Sequence, residues 1–179
     1  LTATLLCVAG LSYFLFNFFC GFNYHRETFT VHSGLEVRPS SVDELTDLCM
    51  ELVDQANQYR LLVQEDDGVM RTSDNYYTIS KNAYQAYDTV SERYSVLGGP
   101  TVRPKPVAFS KAMSYLDITG VYTPFTFEAN VNVDVPDVWI PSTMMHELAH
   151  SKGFMREDEA NFISYLACMS SDNPDFHYS

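Results

Sequence analysis

The chain has 179 residues, the size of about one domain. Its 11 Lys and Arg residues against 23 Asp and Glu residues give a formal net charge of −12. This balance excludes nucleic acid as a partner, because a phosphate-binding surface needs clustered basic residues. The charge is also unevenly placed, since residues 1–19 carry none and the first charged residue is Arg26. We therefore expect an apolar segment joined to an acidic globular part.

The first nineteen residues, LTATLLCVAGLSYFLFNFF, predict a transmembrane helix. A helix of this length, at about 1.5 Å per residue, just crosses a hydrocarbon core of about 30 Å. A secretory signal peptide would need a basic start and a small-residue cleavage site, and neither is present. A core helix that is apolar on all sides is rare in a domain of this size. We assign residues 1–22 to the span.

The chain opens on Leu1, inside the apolar run. We therefore expect a fragment of a longer protein, with the start of the span missing, and a chain that also stops soon after its last helix. The number of spans and the oligomeric state stay open. Lys and Arg are sparse behind the span, with Arg26 and Arg38 the nearest, and this favours an extracytoplasmic domain at the cell membrane.

Residues 23–40 are typical of a connector, and residues 41–179 are expected to form one domain. SVDE at 41–44 is a capping box that starts a helix of about 24 residues with one apolar face. A second helix is predicted over 80–96, ending at the Gly-Gly-Pro of 98–100. A short strand is predicted over 106–110.

The clearest strand signal lies between Phe125 and Val135, where apolar and polar residues alternate without a fault. A period of two over eleven residues predicts one strand with a buried face and a polar face. Pro136 and Pro141 interrupt this pattern, and a helix is expected to begin near Ser142 or Thr143.

That helix carries the motif HELAH at 146–150. Histidines at i and i+4 share one helical face, so His146 and His150 can reach a single Zn²⁺ ion at about 2.0–2.1 Å. Glu147 is then placed to take a proton from a water that the metal activates, as a general base. The plain alternative is a pair of histidines on an amphipathic helix with no metal role.

A hydrolytic zinc site takes a third protein ligand. Gly153 can end the first helix, and the next helix opens with the acidic run Glu157, Asp158 and Glu159. Helical periodicity places Glu159 near the middle of the apolar face of that helix and Glu157 almost opposite. We therefore favour Glu159 as the third ligand and keep Glu157 as the alternative.

HELAH followed by EDEAN resembles the gluzincin branch of zinc metallopeptidases, whose third ligand is a Glu on a following helix. The spacing is shorter than in thermolysin-like enzymes. Arg156 stands where the metzincin pattern would have its third histidine, so that ligand is absent.

A closer resemblance covers nearly the whole chain. It rests on GFNYHR at 21–26, KPVAFS at 105–110, TGVYTPFTFEANVN at 119–132 and HELAHSKGFMREDEANFISYLAC at 146–168. These stretches resemble a bacterial membrane-anchored family, domain of unknown function 3810, which has a zincin-like site. That family often has Trp where this chain has Cys20. The resemblance implies membrane helices followed by a catalytic-type domain, and it implies no substrate.

We expect an α+β, zincin-like fold with a small mixed or antiparallel sheet, an HExxH helix and further helices. The zincin fold implies that residues 119–134 pair with an extended substrate, with Glu128, Asn130 and Asn132 facing the cleft, and Tyr122 is a candidate to stabilise an oxyanion. The leading hypothesis is a membrane-anchored zinc peptidase acting on a peptide or protein substrate. The alternatives are a catalytically silent zincin-like domain that binds a peptide or envelope partner, and a non-proteolytic zinc hydrolase.

Overall fold

The N-terminal apolar stretch forms one helix, α1, over Thr2–Phe19 in the computed structural model, which describes all residues 1–179. The stretch Thr2–His25 contains an 18-residue window with a mean hydropathy of 1.9 and is long and apolar enough to cross a membrane. Its side chains are almost wholly exposed, unlike those of a core helix.

The rest of the chain is a mixture of helices and short strands. The helices are α2 (Phe29–Ser33), α3 (Val42–Arg60), α4 (Tyr76–Arg93), α5 (Ser110–Ser114), α6 (Trp139–Ser151), α7 (Glu157–Cys168) and α8 (Pro174–Tyr178). The strands are β1 (Gln64–Asp66), β2 (Val69–Arg71), β3 (Lys105–Pro106), β4 (Gly120–Thr123) and β5 (Glu128–Val131). The expected α+β class with small sheets is confirmed.

The core lies between the long helices α4, α6 and α7 and a three-stranded sheet. The sheet order is β3-β5-β4, with β3 parallel and β4 antiparallel to β5. Ala129 and Val131 of β5 are fully buried against this core. Strand β4 has a partner strand on one side only, so its other edge is free of strand pairing.

The single strand predicted between Phe125 and Val135 is wrong. The chain instead forms a hairpin, with β4 and β5 joined through a turn in which Thr126 N donates to Thr123 O. Phe127 has a left-handed φ of 56° in this turn, a conformation that Gly adopts more readily than Phe. The alternation matches burial over Glu128–Val131, but Asn132, predicted to be polar and exposed, is fully buried.

Helix α6 begins at Trp139, a few residues before the predicted start. Pro141 fits there because the first turn of a helix leaves its N–H groups without intrahelical partners. The helix ends at Ser151, and Gly153 with a φ of 90° turns the chain back into α7. The two helices predicted on either side of Gly153 are therefore present, and they pack against each other.

The capping box at the start of α3 is confirmed, since Ser41 and Glu44 bond reciprocally to each other's backbone N–H. Helix α3 ends at Arg60, earlier than predicted, because a small hairpin of β1 and β2 follows around the left-handed turn at Asp67 and Gly68. No residue of α3 is buried. Helix α4 starts at Tyr76, capped by Asn75, so it begins earlier than the predicted residue 80.

Part of the predicted connector, residues 23–40, is packed into the domain. The Phe29 side chain is almost fully buried and meets the rings of Tyr94, Phe154 and Phe162. Arg26 donates to the carbonyl of Lys152 at 2.6 Å and stacks over the Phe154 ring. The chain that leaves α1 is thereby fixed to the turn between α6 and α7.

Candidate metal centre

Helix α6 presents the HELAH motif from the middle of the molecule. Glu147 and His150 are buried, with exposed fractions of 4% and 8%, and His146 is half-buried. The other faces of α6 carry apolar residues that pack into the core, among them Met144, Met145 and Leu148. Since Tyr87 also donates a hydrogen bond to Met145 O at 2.7 Å, the helix is held firmly where the motif lies.

The two histidines face each other through their Nε2 atoms, which are 3.0 Å apart. Glu157 completes the group, with Oε2 3.1 Å from His146 Nε2 and Oε1 3.7 Å from His150 Nε2. Bonds of about 2.0–2.1 Å to one tetrahedral Zn²⁺ would separate ligand atoms by about 3.3–3.4 Å. Two imidazole nitrogens and a carboxylate at these separations fit a zinc ion in both spacing and chemistry.

Glu159, the favoured third ligand from the sequence, lies elsewhere. Its Oε1 accepts a hydrogen bond from the backbone N–H of Phe29 at 2.9 Å. The periodicity correctly puts Glu159 toward the buried side of α7, but that side meets the segment behind α1 and not the histidines. Glu157, whose side chain is 72% exposed, reaches across from the first turn of α7. The geometry thus favours the alternative ligand, Glu157.

Both histidines are oriented by hydrogen bonds at Nδ1. His150 Nδ1 is 2.8 Å from the carbonyl oxygen of Phe154, and His146 Nδ1 is 2.9 Å from Asn161 Oδ1. A carbonyl oxygen only accepts, so Nδ1 of His150 carries the proton and Nε2 of the neutral ring keeps its lone pair for a metal. Burial lowers the pKa of His150, which favours this neutral form.

Glu147 lies beside this group with one carboxylate oxygen, Oε2, buried and without a hydrogen-bond partner. Burial raises the pKa of Glu147 to about 8, and the nearby charge of Glu157 acts in the same direction. The backbone amide of Tyr122 opposes this rise. A cation bound to the neighbouring ligands would favour the ionised form of Glu147, whose free oxygen could then accept a proton from a bound water.

The motif opens onto a cavity of about 620 Å³. Its walls come from residues 117–122, from α6 and α7, and from Cys20 and Tyr24 behind α1. The free edge of β4 therefore runs along a cavity that also contains the two histidines and Glu147. An extended peptide that lies in it has main-chain groups of β4 available for pairing.

The polar residues Glu128 and Asn130 of β5, and Asn132 just after it, do not line this cavity. Glu128 forms an ion pair with Lys105, Asn130 donates to Thr123 and Val121, and the Asn132 amide is buried against Ser114 and Ile118. These three residues were expected to face the cleft. In the structure they instead form ion pairs or hydrogen bonds that stabilise the sheet and its neighbouring segments. Tyr122 does line the cavity, with its ring centroid 6.4 Å from that of His150.

Asn161 is the site residue that the sequence interpretation missed. It lies four residues after Glu157, on the same face of α7. Once Glu157 is taken as the ligand, this i, i+4 spacing is enough to bring Asn161 to the same histidine pair. Cys20 and Tyr24 also line the cavity, but no local sequence pattern relates them to the two histidines.

Gly120 at the start of β4 leaves room for the Glu147 side chain. A Cβ added at Gly120 would lie 2.7 Å from Glu147 Cγ and closer still to Oε1. We expect Gly120→Ala to displace the Glu147 carboxylate and to lower by about 10²-fold or more any hydrolysis that needs it, while a metal ion held by the histidines stays bound. The measurements are the rate of hydrolysis and the metal content, with Gly10→Ala as the matched control, because a Cβ added at Gly10 meets no atom within 4 Å. An unchanged rate in Gly120→Ala would contradict this role.

A family model described as "Protein of unknown function (DUF3810)" matches residues 1–179. The chain belongs to this family. No curated protein and no solved structure gives a significant match. The description of the DUF3810 family states no activity.

Proposed function

We propose that this protein is a membrane-anchored, zinc-dependent peptidase of zincin type. The observation that carries the proposal is the grouping of His146, His150 and Glu157, whose ligand atoms all lie within 4.8 Å of one another, beside the buried carboxylate of Glu147. When bound there, zinc would supply Lewis-acid polarisation of water and of a substrate carbonyl. His146, His150 and Glu157 would hold it.

In this proposal Glu147 is the general base. It takes the proton of the attacking water and passes that proton to the amine that leaves when the peptide bond breaks. The free edge of β4 aligns an extended substrate along the cavity. Burial raises the pKa of Tyr122, so its hydroxyl stays protonated as a hydrogen-bond donor within the cavity, where an oxyanion could be stabilised.

The membrane assignment belongs to the same proposal. Helix α1 would span the bilayer, and the scarcity of Lys and Arg after it, with Arg26 and Arg38 the nearest, supports an extracytoplasmic domain.

The complete set of His146, Glu147 and His150 supports a catalytic site and argues against the alternative of a silent binding domain.

A library of quenched fluorescent peptides tests the proposal with the full chain in lipid nanodiscs. We expect cleavage within peptide bonds, identified by product masses. Hydrolysis of esters or small amides without any peptide cleavage would favour a non-proteolytic hydrolase instead. Zinc binding without turnover of either class would favour a binding domain.

A further inference from the structure

The end of α1 carries a cluster of aromatic side chains that continues into the catalytic-type domain. Phe18 contacts Phe14, Phe19 and Phe22, with ring centroids 5.3–6.1 Å apart. Phe19, the last residue of α1, meets Phe127 edge to face at 5.7 Å. Aromatic residues collect at the membrane–water interface, and about 27 Å of helix precedes this point, close to the thickness of a hydrocarbon core.

Phe127 lies at the tip of the β4–β5 hairpin together with Phe125. The two side chains are 47% and 49% exposed. Phe127 also holds a left-handed φ of 56°, which costs a bulky residue free energy that Gly would avoid. In water, neither the exposure nor the backbone conformation favours Phe at this position. The exposed rings are favoured if the tip lies in the same interface as the end of α1, and a Phe side chain stabilised there would offset the backbone cost.

The distance between that interface and the cavity is fixed by short contacts. Cys20, the residue after α1, is buried with its Sγ 3.7 Å from Met155 Sδ. Arg26 bonds to Lys152 O, and Arg156 donates to Tyr24 O at 3.3 Å. Cys20 and Tyr24 themselves line the cavity with His146 and Glu147. The cavity thus begins within one or two residues of the membrane end of α1.

We propose that the hairpin tip at Phe125 and Phe127 lies in the membrane interface, and that the cavity takes peptide segments held at the membrane surface, a few residues from their own anchor. The substrate class rests on the proposed peptidase function, and the placement of the tip rests only on the proposed membrane span of α1. A cavity held far from the bilayer would favour substrates whose cleavable segment extends far from the membrane. Here the cavity lies close to the membrane end of α1, so it favours segments close to the membrane surface.

The placement is tested by lipid quenching in nanodiscs of the full chain. Phe127→Trp is compared with Phe109→Trp. Phe109 is exposed and follows β3, which runs parallel to β5, so it lies at the end of the sheet away from the hairpin tip. Wild type supplies the baseline signal of its single tryptophan, Trp139. Lipids brominated near the headgroup should quench the Phe127→Trp signal and leave that of Phe109→Trp unchanged. Phe125→Trp serves as a second probe if Phe127→Trp does not fold. Equal quenching at the tip and at position 109 would overturn the placement.

The substrate class is tested with one cleavable peptide, tethered to the same nanodiscs through an acyl chain and spacers of about 4 to 20 residues, or about 13 to 70 Å when extended. We expect the shortest spacer to be cleaved at least about tenfold faster than the free peptide. Cleavage of free and long-spacer peptides, with the short-spacer peptide left intact, would overturn the proposed class. If no peptide is cleaved in any form, the peptidase function fails and the substrate class with it, while the quenching still decides the placement of the tip.

Discussion

Replacing Glu147 with Gln is expected to abolish peptide cleavage and to leave zinc bound. Gln keeps the shape of Glu but cannot take a proton from water, and a lost general base typically costs about 10²–10⁴-fold in rate. The ligand atoms of His146, His150 and Glu157 are untouched by this change. The folded state should also persist, since burial already disfavours the charged form of Glu147.

The measurements for this variant are kcat/KM on a peptide found in the library, zinc content, and the thermal unfolding midpoint. Glu92→Gln makes the same chemical change at an exposed position outside the cavity and serves as the matched control. Cleavage by Glu147→Gln at the wild-type rate would refute the role of Glu147. Loss of zinc from this variant would instead place Glu147 among the ligands.

Replacing Glu157 with Gln is expected to weaken zinc binding by at least about 100-fold, whereas Glu159→Gln keeps wild-type affinity. Second-shell changes alone cost about 10–100-fold in metal affinity, and loss of a charged ligand should cost at least as much. Gln at position 159 can still accept the hydrogen bond from Phe29 N–H, so the fold around it is preserved.

Competition with a chromophoric chelator measures both affinities under the same conditions. The two variants are matched controls for each other, because each removes one negative charge from the first turn of α7. A loss of zinc affinity confined to Glu159→Gln would contradict the ligand assignment made from the geometry. Equal affinities in both variants and in wild type would show that neither Glu157 nor Glu159 is a zinc ligand.

The sequence was sufficient for the parts of the site that depend on local geometry. His146 and His150 share a face because residues four apart on a helix always do, whatever surrounds them. Gly153 marks the end of α6 for an equally local reason, since its φ of 90° favours Gly. The helical hairpin and its acidic first turn could therefore be predicted from residues 146–159 alone.

The choice between Glu157 and Glu159 could not be made in this way. It depends on the rotation of α7 about its own axis relative to α6. Phe29, 130 residues away along the chain, packs beside α7 and donates its N–H to Glu159. Periodicity correctly identified the inward side of α7, but it could not say which neighbour that side would meet.

The alternating stretch between Phe125 and Val135 shows another limit. A period of two describes a strand only while the backbone stays extended, and nothing in the sequence marks Phe127 as the left-handed residue of a turn. Similarly, α3 has the apolar face that the spacing predicted, yet Leu45, Leu48 and Leu52 on that face are exposed. In both cases the local pattern predicted where apolar residues lie, but contacts with distant parts of the chain determined the backbone conformation or the burial.

The most direct test of the peptidase account is cleavage by the full chain in nanodiscs as zinc is removed and restored. We expect about one zinc ion per chain as isolated, loss of cleavage when a chelator removes it, and recovery when zinc is added back. Cleavage that persists in zinc-free protein, or a chain that binds no zinc with His146, His150 and Glu157 intact, would contradict it.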